Sequence, residues 1–339
     1  MPRILDRRLP DGPRPHRPLR TLPATALALA GLAAGLAGCG SGSGSGAPPG
    51  TTEVVASFYP MTWLAQQVGG DDVHVRTLTA PGAEPHDLEL TAKQVAAVGQ
   101  ADLALYVKGM QPAVDDAVHQ HAEDSSLDAA GAVKTLPAPT EDEHEHGHDE
   151  HGHDEPGHEE EHDHGDAGHD PHVWLDPDRM ATIATALGDR LAKADAENAA
   201  GYESRAEAVA ARLAELDRRF KDGLASCTRK EVVTAHAAFG YLADRYGLTQ
   251  VSIAGIDPSS EPSPARLAEL TGHIREAGAT TVFTETLVSP KVAETLADEA
   301  GVKTAVLDPV EGVREGSRDD YMTIMDRNLQ ALRPALGCS

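Results

Sequence analysis

The chain has 339 residues and is acidic, with 54 Asp and Glu against 29 Lys and Arg and a formal net charge of -25. This length allows two domains with hydrophobic cores, and an apolar fraction of 40% excludes wholesale disorder. A chain of this charge repels nucleic-acid phosphates, so we expect no nucleic-acid partner.

The negative charge is concentrated in one segment. Residues 1–38 hold six Arg and two Asp, for a charge of +4. Residues 141–170 hold fourteen Asp and Glu, no Lys or Arg, and nine of the seventeen His. The rest of the chain is therefore only moderately acidic.

The N-terminal 38 residues have the pattern of a signal peptide, with scattered Arg followed by a short apolar run over residues 21–38. The run ends in Leu36-Ala37-Gly38-Cys39, which resembles a bacterial lipobox and predicts cleavage before Cys39 with lipid on its sulfur. An uncleaved membrane anchor is the alternative. Residues 39–51 then form a Gly/Ser-rich tether. We expect an extracytoplasmic protein anchored to the cell membrane by lipid.

Strands and helices alternate along the remaining chain, which favours parallel sheets in an α/β fold. Strands are predicted over residues 53–57, 73–77, 102–108, 231–235, 250–254, 280–284 and 304–307. Helices are predicted over residues 61–68, 91–99, 178–193, 198–223, 239–246, 264–277, 290–300 and 321–332.

These elements predict two α/β lobes with one long helix between them. The N-terminal lobe covers residues 52–172 and includes the acidic histidine tract 141–170 as a disordered loop. A helical region follows over 173–226, and the C-terminal lobe covers 227–339. The helix predicted over 198–223 is about 39 Å long, enough to reach both lobes.

Three histidines lie at strand ends or in ordered loops. His86 follows the second strand, His172 precedes the long helical region, and His236 follows a buried-looking strand. Ligands bind at the carboxyl ends of strands in open α/β sheets, so these imidazoles can meet across a cleft. Taken singly, each is more consistent with a hydrogen-bonded structural histidine than with a ligand. Prolines directly before His86 and His172 stiffen their loops and favour a metal site.

The mature chain has two cysteines, Cys227 and Cys338. They form a disulfide in an oxidising compartment or remain two unrelated thiols. Neither has zinc-finger spacing, so a metal site must use nitrogen and oxygen ligands.

Three segments resemble the cluster A-I metal-binding lipoproteins of ABC importers, which take up zinc or manganese. They are PGAEPHDLEL (81–90), DPHVWLDP (170–177) and TAHAAFGYLADRYGL (234–248), and the resemblance covers residues 52–339. It implies two α/β lobes joined by a rigid long helix, with the metal in the interlobe cleft.

The resemblance also implies the ligands His86, His172 and His236, with Asp308 at the position where the family often has a carboxylate ligand. Some zinc-binding members have Glu directly before the first histidine, where this chain has Pro85. Asp308 or a water must therefore complete the shell. Glu285 is an alternative ligand, or an acid that orients a ligand imidazole.

Three imidazoles and one carboxylate suit tetrahedral Zn²⁺ better than Mn²⁺, which prefers more oxygen ligands. We therefore expect a monomeric, non-enzymatic solute-binding protein that delivers Zn²⁺ to an ABC permease. A manganese-binding or adhesion-type member of the family and a secreted zinc hydrolase are the alternatives.

The acidic histidine tract is of low complexity, so we expect it to be disordered without metal. Its neutral imidazoles and carboxylates predict loose Zn²⁺ binding, as a collector or sensor beside the main site. A charged loop without a role is the alternative. The histidines concerned are His144, His146, His148, His151, His153, His158, His162, His164 and His169.

Overall fold

The computed structural model describes residues 50–139 and 168–339. The predictions for the signal peptide, for Cys39 and for eight of the nine tract histidines lie outside these residues. Within them, no helix is both long enough and apolar enough to cross a membrane. All of them belong to one compact unit.

The first sheet has four parallel strands in the order β2-β1-β3-β4. The strands are β1 (Thr52–Ala56), β2 (Val73–Thr77), β3 (Leu103–Tyr106) and β4 (Ser126–Asp128), and the helices are α1 (Tyr59–Gly69), α2 (Ala92–Gln100) and α3 (Pro112–His121). The sequence analysis missed α3 and β4. Strand β4 has only three residues, whereas α3 shows a helical i, i+3, i+4 spacing of its buried Val114, Ala117 and Val118 that the sequence analysis overlooked.

Two helices connect the sheets and pack against each other, α4 (Pro177–Ala194) and α5 (Ala199–Leu224). Asp176 caps α4 by accepting from the Asp178 amide, and Pro177 provides a preset first turn. The 26 residues of α5 span about 39 Å. Arg205 in its first half donates to the carbonyls of Val68 and Gly69 in the first lobe.

The second half of α5 packs on the second lobe. Arg219 pairs with Asp326 at 2.8 Å, and the Phe220 ring stacks on Tyr246. The long helix therefore contacts both lobes, and the predicted fold class is confirmed.

The second sheet repeats the topology of the first, with parallel strands in the order β6-β5-β7-β8. The strands are β5 (Glu231–Thr234), β6 (Thr249–Ser252), β7 (Thr281–Thr284) and β8 (Lys303–Val306), and the helices are α6 (Gly240–Tyr246), α7 (Pro264–Ala277), α8 (Lys291–Ala300) and α9 (Tyr321–Leu336).

Alternate residues of the central strands face different cores. Val54 in β1 and Val232 in β5 belong to a core shared by both lobes, which also contains α1, α4, α5 and α9. Their neighbours Val55 and Val233 point into a separate core on the outer face of each sheet. This period of two is expected for strands covered on both faces.

The C-terminus is fixed to the second lobe. A disulfide bond links Cys227, just after α5, to Cys338, just after α9. The Arg229 amide also donates to the Leu336 carbonyl at 3.0 Å. The end of the chain is therefore held by a covalent bond as well as by packing.

Candidate metal centre

Three imidazoles and one carboxylate converge between the two sheets. One donor atom from each of His86, His172, His236 and Glu311 lies within 4.8 Å of the others. The Glu311 Oε1 atom lies 3.6 Å from Nε2 of His86, 3.4 Å from Nε2 of His172 and 3.2 Å from Nε2 of His236. The four donors surround a common point, as the ligands of one metal ion do.

The four side chains come from loops at the carboxyl ends of strands or beside them. His86 lies in the loop after β2, His236 is two residues beyond β5, and Glu311 is in the loop after β8. His172 immediately precedes a 3-10 turn over Val173–Leu175 that leads into α4. The site therefore takes residues from both lobes and from the connection between them, in the crevice that parallel sheets form.

The centre is almost completely shielded from water. The side chains of His172 and His236 are 0% exposed, that of Glu311 2% and that of His86 6%. The Nε2 atoms of His86 and His172 are buried and have no hydrogen-bond partner. A metal ion would satisfy both nitrogens, which otherwise cost free energy by being buried without a partner.

The imidazoles and carboxylates of the centre shift one another's pKa values. Burial acts to lower the pKa of His236, but the carboxylates of Glu311 and Glu285 outweigh it and raise that pKa from 6.5 to about 10. Burial acts to raise the pKa of Glu311, but the charge of His236 and hydrogen bonds from His172, His236 and His86 keep that pKa well below 4.5. Protonated His172 and His236 can therefore balance the carboxylate charge when no metal is bound.

His172 is oriented by Asp170. The Asp170 carboxylate accepts from the ring Nδ1 at 2.7 Å and from the His172 amide at 3.0 Å, which leaves Nε2 directed at the centre. Burial acts to lower the pKa of His172, but the Asp170 charge dominates and raises it above 6.5.

Asp170 is itself held against the second lobe. Its carbonyl accepts from the Tyr241 hydroxyl at 2.6 Å, and the same hydroxyl accepts from the Leu136 amide. A Cβ added at Gly240 would lie 2.6 Å from Asp170 Oδ2, so only glycine allows this approach.

The last three residues of the predicted disordered loop 141–170 are ordered, which corrects its boundary. The Ala138 amide donates to the Gly168 carbonyl and the Asp170 amide to the Leu136 carbonyl, at 2.8 and 3.0 Å. His169 lies in this antiparallel pairing, opposite Pro137, with a buried Nε2 that has no hydrogen-bond partner. It is not one of the four converging residues.

Glu285 orients His236 in the way that Asp170 orients His172. Its Oε1 atom accepts from the ring Nδ1 at 2.7 Å and from the His236 amide at 3.0 Å. The structure thus places Glu285 behind an imidazole and outside the group of four.

His86 is supported through its loop. Glu84 accepts from the His86 amide at 3.0 Å, and Gln111 donates to the Pro85 carbonyl at 3.0 Å and to Thr79 Oγ1 at 2.9 Å. Gln111 is 1% exposed and stands at the start of α3, so the helix that the sequence analysis missed also anchors this loop.

Asp308 does not join the centre, and Glu311 occupies the position expected for it. Both Asp308 carboxylate oxygens are engaged elsewhere, Oδ1 by the Val310 amide at 2.8 Å and Oδ2 by Thr286 Oγ1 at 3.0 Å. The expectation of Asp308 at this place is therefore wrong for the structure. Glu311 lies five residues and Asp308 two residues beyond the end of β8, and no local feature of the sequence separates the two acids.

A family model for the periplasmic component A of a zinc-uptake complex, ZnuA, matches residues 54–335. The chain belongs to this family. It is 38% identical over 292 residues to the zinc-binding protein AdcA of Streptococcus pyogenes serotype M6, with 84% of this chain and 56% of AdcA covered. It is 36% identical over 291 residues to the high-affinity zinc uptake system protein ZnuA of Bacillus subtilis, covering 84% of this chain and 87% of that protein.

Solved structures share the fold. The Zn(II)-bound AdcA of Streptococcus pneumoniae superimposes with a TM-score of 0.69 at 33% identity, over 85% of this chain and 58% of AdcA. The laminin-binding protein Lmb of Streptococcus agalactiae, described as an adhesin with metal-transporting activity, gives a TM-score of 0.70 at 28% identity, over 84% and 99% of the two chains. The chain therefore spans a little over half the length of the AdcA proteins it matches and nearly all of Lmb.

Proposed function

We propose that this protein captures Zn²⁺ outside the cytoplasm and delivers it to an ABC-type permease for uptake. The observation that carries the proposal is the buried convergence of His86, His172, His236 and Glu311 within 4.8 Å. The names of the zinc-binding relatives and the matched family point to the same cargo.

The donor set favours Zn²⁺ over Mn²⁺. Three neutral imidazoles and one carboxylate are a common tetrahedral zinc shell, whereas Mn²⁺ prefers more oxygen donors. The two carboxylates nearest the ligand imidazoles, Asp170 and Glu285, are engaged with Nδ1 atoms. They fix the imidazoles with Nε2 free for the metal, as outer hydrogen-bond partners of zinc histidines do.

Binding and release, rather than catalysis, is the activity that we propose. A hydrolase needs an open metal position and a general base beside it. Here the carboxylates behind His172 and His236 accept hydrogen bonds from the rings, and the donors face one another in a closed group. We further propose that the protein acts as a monomer tethered to the membrane by lipid on Cys39.

Metal analysis of untagged protein tests the proposal directly. We expect one tightly bound Zn²⁺ per chain at the centre, retained against excess Mn²⁺. Alanine at any of the four donor positions should weaken tight binding by at least about 100-fold, more than a supporting residue does. His273→Ala is the matched control, because this half-exposed histidine pairs with Glu231 away from the centre.

Two results would refute this assignment. Zinc would not be the preferred metal if Mn²⁺ at equal concentration displaced bound Zn²⁺ from the centre. A donor variant that kept wild-type affinity would remove that residue from the site.

We also propose that the acidic histidine tract collects Zn²⁺ weakly beside the centre. The structure suggests how to test it, since Ala138 and Gly168 are hydrogen-bonded neighbours. Residues 141–167 can be replaced by a short Gly/Ser linker without separating these ends. The number of weak zinc sites in calorimetry should fall, and tight binding should persist.

A deletion through residue 170 should behave differently, because it also removes Asp170 and with it the partner of His172. Tight binding should then fall about 10–100-fold. An unchanged total zinc stoichiometry after loss of 141–167 would contradict the collector role.

A further inference from the structure

Val310 has an unusual backbone conformation directly before Glu311. Its φ is 60°, and among the non-glycine residues in the described parts of the chain it is alone in having a positive φ. Branching at Cβ makes this left-handed region especially unfavourable for valine. The Val310 side chain is fully buried, so the conformation is imposed by surrounding contacts.

The two residues before Val310 are fixed from several sides. The Asn328 side chain accepts from the Asp308 amide at 2.8 Å and donates to the Asp308 carbonyl at 2.7 Å. Trp174 donates to the Pro309 carbonyl at 2.8 Å, and Trp174 lies two residues beyond His172. The loop that carries Glu311 is therefore tied both to α9 and to the segment that carries His172.

Asp308 makes the contact that holds the turn itself. Its Oδ1 accepts from the Val310 amide at 2.8 Å, while Oδ2 accepts from Thr286 at 3.0 Å. An aspartate that accepts from the amide two residues later closes a local turn and competes with regular backbone structure. This contact fixes the Val310 amide, which lies directly before Glu311 in the chain.

We propose that Asp308 is a positioning residue that keeps Val310 left-handed and thereby aims the Glu311 carboxylate at the three imidazoles. This inference rests on the proposed function, since it assigns Asp308 a part in zinc affinity. Asp308 acts through Glu311 and not as a ligand, because it is not among the four residues whose donor atoms converge.

A double-mutant cycle on zinc affinity separates these roles. Asp308→Ala should weaken zinc binding about 10–100-fold, as loss of a supporting partner does. If Asp308 acts only through Glu311, the double variant D308A/E311A should bind zinc as weakly as E311A alone. Losses that multiply would overturn the inference.

The conservative variant Asp308→Asn distinguishes a positioning residue from a ligand. Its side-chain oxygen can still accept from the Val310 amide, but a neutral amide is a poor zinc ligand. We expect it to restore most of the affinity that D308A loses. An affinity as low as that of E311A would overturn the inference, and this variant decides the matter if D308A does not fold.

Asp128→Ala is the matched control. Asp128 ends β4, accepts from the amide two residues later at 2.9 Å, and lies at the equivalent edge of the other sheet without a ligand beyond it. The zinc affinity of D128A should equal that of the wild type. An equal loss of zinc affinity in D128A and D308A would overturn the inference. Wild-type protein that did not bind zinc at all would instead refute the proposed function.

Discussion

Zinc binding should release protons, because the metal replaces protons held by the buried imidazoles. In the protein without metal, the His236 pKa is raised to about 10. At pH 7.5 this imidazole is therefore almost fully protonated, and Zn²⁺ must displace the Nε2 proton to bind. The pH lies about 2.5 below that pKa, so the displacement costs roughly 3 kcal/mol, or about 10²–10³-fold in apparent affinity. The pKa of His172 is also raised, which adds to the release.

Calorimetry in buffers of different ionisation enthalpy measures the number of protons released. We expect one to two per zinc at pH 7.5, and an apparent association constant that rises correspondingly by about 10- to 100-fold for each pH unit between pH 6.5 and 8.5. Glu285→Gln removes one of the carboxylates that raise the His236 pKa, so this dependence should become shallower. The exposed Glu89→Gln serves as the control. Zinc binding without proton release would refute the ion-paired description of the metal-free centre.

The same linkage applies to stability without metal. The His236 pKa is higher in the folded chain, at about 10, than the 6.5 of an unperturbed imidazole. Its stabilising contribution should be fully present below about pH 6.5 and lost as the pH rises towards 10, which urea unfolding of metal-free protein measures. Gly240→Ala should push Asp170 aside and weaken zinc binding about 10–100-fold, while Gly272→Ala, whose Cβ meets open space, should not. Replacing Cys227 and Cys338 by serine should lower the free energy of unfolding by about 2–4 kcal/mol and leave zinc stoichiometry unchanged.

Elements with strong local signals were predicted closely. The strand over 73–77 and the helix over 264–277 have their predicted bounds, and the long helix is displaced by one residue. The α7 helix begins at Pro264 after the capping Ser263 and ends before Gly278 in a left-handed conformation, so both ends are marked in the sequence. The missed β4 has three residues and depends on pairing with β3, which no local pattern shows.

The three histidines of the centre were predicted as ligands from the resemblance to the metal-binding family, and the strand ends and the prolines before His86 and His172 favoured the same loops. Two residues that support these histidines were not predicted. Asp170 belongs by composition to the acidic tract, yet its backbone pairs with Leu136 and its carboxylate holds His172. Gln111 supports the His86 loop from the N-cap of α3, a helix that the sequence analysis missed. These supporting contacts join segments that are far apart in the sequence, so no local pattern predicts them.

The structure has Glu311 at the centre in place of the predicted Asp308, and the reason is again a contact between distant segments. Binding sites lie at the carboxyl ends of parallel strands, but this rule does not tell which acid of a loop points into the site. Asp308 is the first acid after β8, and its short side chain closes a turn with the Val310 amide. Val310 in that turn is left-handed, which local propensity disfavours, and the contacts of Asn328 and Trp174 with this loop help Asp308 to hold it. The longer glutamate three residues later is therefore the one that reaches the imidazoles.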